Sequence, residues 1–498
     1  MQVIYASDYH DASEMHMALK WLKSGTVCLG VMGPLLLVGC EVGPRYPGPP
    51  DTKLTSYHNQ APLAARQTGA PAPSMETWWN GFQDPALTRI IERALAQNLD
   101  LQQALARVEQ ARAAAREAGA NLLPSGSTHA SATRLHQSLN GPIGTIARNF
   151  PGYDRDQSFF DPGAGAQWEL DIFGGLRRGA QAARAEAEAA QAQQLGVRVS
   201  IVADAADAYF QVRGDQARLA IAASQVETDQ RLLDILHLRF DRGASDDKEL
   251  AQGEALLAQA RATIPPLQTA LEAQLNRLDV LMGAQPGTYA AELSVRAAIP
   301  HAPAIPADQS ASDLLRRRPD ILVAERRLAA ANARIGVAVA EYYPKVSLAA
   351  VLGFESLDSG RIFTAESFQP AATAGLRWRL FDFGRVDAEV AQADSVNAQA
   401  LLAYRQTLLR ATQDVENSFM SLAQLELQAH ELAVEVAALT RARDASQQSY
   451  LAGASSLTDV LDADRQSLVA QDDLARTRAD SARAAVMSFR ALGGGWSL

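Results

Sequence analysis

Two stretches of 67 and 68 residues, 176–242 and 385–452, contain no proline, and glycines bracket each of them: Gly175 and Gly243, then Gly384 and Gly453. Proline inside a helix removes a backbone hydrogen bond and clashes with the preceding turn, so its absence lets one helix run through each stretch. At about 1.5 Å per residue such helices would be roughly 100 Å long, more than a globular core requires. Composition agrees. Hydrophobic residues make up 47 % of the chain but aromatics only 6 %, and alanine-rich segments such as Gln181–Ala190 let helices approach closely. Helices of this kind fit a solvated coiled-coil rod equally well.

The two stretches are copies of one another. Trp168, Phe173 and Gly174 recur as Trp378, Phe383 and Gly384, an offset of 210 that also relates Asp204 to Asp414, Tyr209 to Phe419 and Gly243 to Gly453. Upstream the offset is 220, pairing Asp100 with Asp320, Ala104 with Ala324 and Pro124 with Pro344. The chain is therefore a duplication. The first copy carries ten extra residues between Pro124 and Trp168. Each copy reads as helix, two strands, long helix, turn, helix. Repeat 1 spans 85–282, with helices 85–123, 176–242 and 244–282 and strands about 125–138 and 163–173. Repeat 2 spans 312–492, with helices 312–342, 385–452 and 454–492 and strands about 345–356 and 370–382. Asp84 before Pro85 is a good helix start. Pro265 and Pro266 are expected to break or kink the returning helix of the first copy.

The strand segments decide between rod and channel. Val346, Leu348, Ala350, Leu352 and Phe354 alternate with Lys345, Ser347, Ala349, Val351 and Glu355, and Leu376, Trp378 and Leu380 alternate with Gly375, Arg377 and Arg379. Period-two alternation ending in an aromatic is the pattern of a transmembrane β-barrel strand, with Trp168 and Trp378 as membrane-interface aromatics. Two hairpins supply only four strands, and open sheet edges cannot stand in lipid because their backbone groups find no partner. Three copies would supply twelve strands, enough to close around an aqueous lumen. The expected fold class is thus mainly α with a β-barrel part, the barrel being closed by an oligomer, a trimer of twelve strands being the simplest choice.

The N-terminus reads as an export leader. Lys20 and Lys23 precede an apolar run from Thr26 to Val38, whereas Asp8, Asp11 and Glu14 make the first 16 residues acidic, so Met17 is taken as the true start. The run ends at Leu37, Val38, Gly39 and Cys40, which looks like a bacterial lipobox. Cys40 is then the expected lipidation site after removal of 1–39, and Cys28 leaves with the leader. Residues 40–84 would form a lipid-anchored N-terminal segment, and 283–311 a linker. The formal net charge of −10 argues against a nucleic-acid partner. Ser245 and Lys248 fit the spacing of a serine nucleophile motif without its companion motifs, and the eight histidines show no i, i+4 pair. No enzyme, metal site or cofactor is expected.

Taken in order, Cys40 to Pro47, Trp78 to Pro85, Arg317 to Glu325, Tyr343-Pro344, Trp378 to Gly384 and Gly453 to Arg465 resemble the TolC-like outer-membrane factors. Within these they are similar to the lipidated NodT-type members serving resistance-nodulation-division pumps. The resemblance covers essentially all of residues 40–495. It implies a homotrimer: a barrel in the outer membrane, a long periplasmic helical barrel, and an equatorial belt from the N-terminal, 283–312 and C-terminal segments. It further implies an exit duct of a tripartite efflux system, docking to a periplasmic adaptor protein and an inner-membrane resistance-nodulation-division pump. The outer-membrane part of a type I protein secretion system, or a non-conducting structural lipoprotein, are the alternatives. Asp459, Asp462 and Arg465 share one helix stripe after the second turn, and their first-copy counterparts Glu249, Gln252 and Ala255 lack the set. Together with Tyr450 they match the family's periplasmic gate, and Ser455 stands where some members place a tethering Arg. The turns at Gly243 and Gly453 are the expected adaptor-docking tips.

Overall fold

The computed structural model describes residues 41–49, 56–59, 61–62, 72–306, 313 and 316–497. The expected leader, Met17 and Cys40 lie outside the described residues. After a 3-10 helix, Met75–Phe82, the chain forms α1 (Pro85–Gln97), α2 (Leu99–Ala120), β1 (Ser125–His136), β2 (Asp156–Leu170), α3 (Gly175–Asp241) and α4 (Asp247–Leu281). The second copy supplies α5 (Pro319–Ala340), β3 (Lys345–Phe354), β4 (Phe368–Arg377), α6 (Arg385–Leu451) and α7 (Leu457–Ala491). Each long helix, α3 and α6, holds 67 residues. Among the described residues no helix is long and apolar enough to cross a membrane.

Several elements differ from the sequence reading. The helix expected over 85–123 is two helices, because Asn98 takes an extended conformation and caps α2, accepting from Leu101 N at 3.0 Å. The helix expected from 312 begins at Pro319, since the residue before a proline is pushed out of the helical region and Arg318 sits at φ −70°, ψ 124°. Strand β2 starts at Asp156 rather than 163: Asp161 and Pro162 spoil the alternation, yet the backbone pairs with β1 as far as His136 opposite Asp156. It ends at Leu170 rather than 173 because the Asp171 carboxylate accepts from Leu176 N and Arg177 N and turns the chain into α3. In the second copy Asp382 accepts from Val386 N at 2.8 Å, and β4 covers 368–377 rather than 370–382. Strands β1 and β3 stop at His136 and Phe354, two residues short of the expected 138 and 356. Pro265 and Pro266 do not break α4, which runs on through both; Thr269 donates to the Pro265 carbonyl at 3.0 Å.

The sheet is an antiparallel meander, β1-β2-β3-β4, in which β2 of the first copy pairs with β3 of the second. Directly opposed residues share a face. The register sets Leu170, Val346 and Leu376 in one row, Trp168, Leu348 and Ala374 in the next, and Ala164, Leu352 and Pro370 further along. One face is therefore apolar across three strands, and Leu352 and Leu376 are 60 % and 67 % exposed. Among the described residues β1 pairs with β2 alone and β4 with β3 alone, which leaves two open edges.

The core sits halfway along the long helices. Alanine-rich helices have little bulk to bury, so aromatics from elsewhere fill the gap. Trp78 stacks on Phe489 with ring centroids 5.1 Å apart, and Phe82 packs on Phe210 at 4.7 Å. Tyr57, Leu293, Ile305 and Leu492 join the same cluster, so the N-terminal, linker and C-terminal segments converge there.

Candidate functional site

At one end of the molecule the two helical hairpins turn. Gly243 and Gly453 lie in the left-handed region, at φ +69° and +75°, and nothing lies within 4 Å of a Cβ built on either. Backbone conformation, and not crowding, demands glycine there. Each turn is closed alike: Ala244 N donates to Arg239 O and Ala454 N to Ser449 O, both at 2.8 Å. Asp246 caps α4 and Ser456 caps α7.

The expected gate residues separate into two groups. Tyr450 is buried in a cluster with Leu232, Leu236, Leu457 and Val460. Its hydroxyl donates to Glu249 Oε2 at 3.4 Å, and the Arg239 guanidinium lies 4.7 Å from its ring centroid. Burial, then the Glu249 charge, raises its pKa. The tyrosine thus ties the second hairpin to the first, through residues flanking Gly243. Asp459 does something else: its Oδ2 accepts from Ser456 N at 3.0 Å while Ser456 Oγ receives Asp459 N at 3.3 Å, a reciprocal capping box. Asp462 and Arg465 pair with each other at 3.5 Å and are 60 % and 65 % exposed. Ser455 donates to the Ser446 carbonyl. The first-copy position read as lacking the set, Glu249, is the acceptor of the Tyr450 contact.

Sequence reading passed over a buried polar cluster a little further along the helices: Gln225 and Asp229 on α3, and Asp464 on α7. The signal was present. Asp229 follows Ala222 and precedes Leu236, and Asp464 follows Leu457 and Val460, at the i, i+3, i+7 spacing that marks an inward stripe.

The opposite end of α3 and α6 meets the sheet. Trp168 Nε1 donates to Leu122 O and Trp378 Nε1 to Tyr342 O, each at 2.9 Å. Both indoles thus pin the helix-side end of the sheet to the helix preceding each hairpin. Glu41 lies at the same junction: Gln181 Nε2 donates to it at 2.7 Å, Arg178 approaches at 3.3 Å, and Val42 N donates to Phe173 O at 3.2 Å. Arg178 and Gln181 were missed because no local pattern links them to the N-terminal segment.

A sheet with an apolar exposed face and open edges, continued by helices of this length, defines one part of an outer-membrane channel made of a β-barrel and a helical barrel. Comparison with known proteins agrees. The structure is similar to that of the outer-membrane channel OprN, with a TM-score of 0.82 and 32 % identity over 92 % of this chain and 100 % of that one. The sequence is similar to the pyoverdine export outer membrane protein OpmQ of Pseudomonas putida, 33 % identical over 88 % of this chain and 91 % of the relative. It is also similar to nodulation protein T of Rhizobium leguminosarum bv. trifolii, 29 % identical over 93 % and 96 %. Residues 90–284 and 311–494 match the family model described as outer membrane efflux protein. The chain belongs to that family. It is an outer-membrane exit duct of an efflux system.

Proposed function

We propose that three copies of this chain close into one conduit, lipid-anchored at Cys40, that takes solutes from a periplasmic adaptor and an inner-membrane resistance-nodulation-division pump and releases them outside. The observation that carries the reading is the sheet: its apolar face is exposed and its two edges, β1 and β4, have no partner among the described residues. In lipid each unpaired backbone group costs several kcal/mol, on the order of that for any buried unsatisfied amide. Edge β4 of one copy set on β1 of the next removes every edge at twelve strands. The equal lengths of α3 and α6 then carry all the turns at Gly243 and Gly453 to one level, the docking surface for the adaptor. Glu41, next in sequence to the proposed lipid site, is held at the junction of sheet and helix by Arg178 and Gln181, which supports a membrane interface at that level. Trp168 and Trp378 mark the same interface.

In this reading the gate has two parts. The Tyr450 contact with Glu249 and Arg239 holds the two hairpins together at the tip. The exposed Asp462 and Arg465 supply charge to a pore that repeats them around a threefold axis. The protein, extracted from outer membranes, should conduct in a planar bilayer, and cysteine pairs across β1 and β4 should oxidise into a cyclic species of three chains. A protein that never conducts and cross-links only as monomers or dimers overturns the proposal.

A further inference from the structure

Near the helix tips the first hairpin meets the second through α3 and α7. The buried positions on α3 include Ala222, Gln225, Asp229, Leu232 and Leu236, and those on α7 include Leu457, Val460, Asp464 and Ser467. Such spacing closes apolar seams between helices, and aspartate is among the residues least often buried completely. Here each stripe carries one: Asp229 is 2 % exposed and Asp464 4 %.

A single neutral donor lies between them. Gln225 Nε2 donates to Asp229 Oδ1 at 2.7 Å and also to Asp464 Oδ2. Asp229 Oδ2 is buried and, among the described residues, accepts no hydrogen bond. Two ionised carboxylates sharing one amide in a dry seam repel, at an effective dielectric far below that of water. One proton on Asp229 removes that repulsion and turns an acceptor without a partner into a donor.

The surroundings do not neutralise the pair. From α6, Arg443 draws on Asp464 but is itself paired with Asp444 at 3.0 Å. From α4, Arg261 donates to Gln230 on the solvent side at 2.9 Å. On α7 itself Arg465 points to Asp462. Among the described residues no arginine or lysine donates a hydrogen bond to Asp229 or Asp464. Burial first, and then the charge of Asp464, push the Asp229 carboxyl well up from the usual carboxylate range, and burial raises Asp464 as well. The duplication does not repeat the arrangement: Leu439 stands at the counterpart of Asp229, and Glu254 at that of Asp464. The pair therefore belongs to the seam between the two hairpins of one chain.

We infer that Asp229, Gln225 and Asp464 form a proton-dependent latch: one shared proton holds the seam between α3 and α7 shut, and its loss drives the two hairpins apart near the tips. The inference rests on the exit-duct reading, because this seam is one that must loosen for the passage to widen. The sign follows from linkage. A carboxyl with a raised pKa in the closed seam binds its proton more tightly there than when the seam is open, so closure is favoured in acid and lost as pH rises through the raised value.

Two measurements on the full-length protein test this. The first is conductance in planar bilayers between about pH 5.5 and about pH 8, where a one-proton linkage changes the open-to-closed ratio by up to about tenfold per pH unit. The parent should conduct more as pH rises. Asp229→Asn, which keeps the shape and carries no charge, should stay low at every pH. A parent-like pH profile in Asp229→Asn and in Asp464→Asn overturns the latch while leaving the channel standing. The second uses spin labels at Arg231→Cys and Gln466→Cys, both exposed positions on the two helices. Their separation should increase with pH in the parent background and not in Asp229→Asn. This reads the seam even in a protein that conducts nothing, so failure of the duct and failure of the latch are told apart. A distance that ignores pH overturns the latch.

Discussion

Arg318 donates from Nη1 to the backbone carbonyl of Ala491 at 2.8 Å. Arg318 is the N-cap of α5 and Ala491 the last residue of α7, so one side chain joins two helices end to end. The first copy repeats the joint at the equivalent positions, where Asn98 Nδ2 donates to Leu281 O at 2.9 Å. Terminal carbonyls of a helix have no partner within it, and each joint supplies one. The shorter helices thereby extend one another past the core, and α3 and α6 run alongside without interruption.

The two joints should differ in strength. Arg318 also donates to Asp320 and Asp414, at 2.8 and 3.0 Å, and is almost fully buried. Asp320 and Asp414 are about half exposed, so Arg318→Ala leaves no buried charge behind; losing the bonds to them and to the Ala491 carbonyl should cost about 2–3 kcal/mol, in the range of hydrogen bonds to charged groups. Asn98→Ala removes a cap and one neutral bond, for a cost of about 1–2 kcal/mol. Thermal unfolding of the solubilised protein should rank them in that order. Equal effects would show that the charge network is not what holds the second joint.

Asp459 and Asp462 should not behave alike, although both lie on the stripe read as a gate. Asp459→Ala opens the capping box and should destabilise the start of α7 by about 1 kcal/mol, visible as faster hydrogen exchange over 457–461. Asp462→Ala makes no such change, so any effect of it on conductance or on block by divalent ions belongs to the pore. If Asp462→Ala matches the parent in both, Asp462 has no place in the gate.

Gly453→Ala forces a Cβ into a left-handed conformation at about 1–2 kcal/mol without any clash. Gly453→Asn should recover much of the loss, since asparagine tolerates that region. Hydrogen exchange at the tip turn would read the order of the series, and an alanine no worse than asparagine would contradict it.

Gly214 has a different reason to be glycine. A Cβ there would lie 2.7 Å from the Ala479 side chain, where α3 packs closely on α7. Gly214→Leu should overpack the seam by at least about 1–3 kcal/mol and lower the thermal midpoint, while Gly179→Leu, where a Cβ meets nothing within 4 Å, should not.

Cys40→Ala, exported behind a cleavable leader, should still reach the outer membrane, because burial of the barrel outweighs one acyl anchor. Intact mass of the parent should show loss of 1–39 and added acyl mass. A soluble periplasmic monomer from the variant, or an unmodified N-terminus at Met1, would contradict this account.

What the sequence determined by itself were the features written in local periodicity: the helical class of α3 and α6, the duplication, and the alternation of Val346, Leu348 and Leu352 that made one face of β3 apolar. Proline exclusion and side-chain direction act over a few residues, so they can be read along the chain. Tertiary structure decided which partner each polar residue met, even where the spacing of Asp229 and Asp464 already marked an inward stripe. Asp459, Asp462 and Asp464 lie within six residues of one another, yet the first caps a helix, the second is exposed and the third is buried against Gln225. The first two find their partners three residues away, but Asp464 depends on Gln225, which lies 239 positions away on a helix of the other copy. Likewise β2 begins at Asp156 only because β1 is there to pair with it, and Arg178 meets Glu41 only because the N-terminal segment is laid back on α3. Burial and charge are properties of a neighbourhood, and for Asp464, β2 and Arg178 that neighbourhood is supplied by parts of the chain far away in sequence.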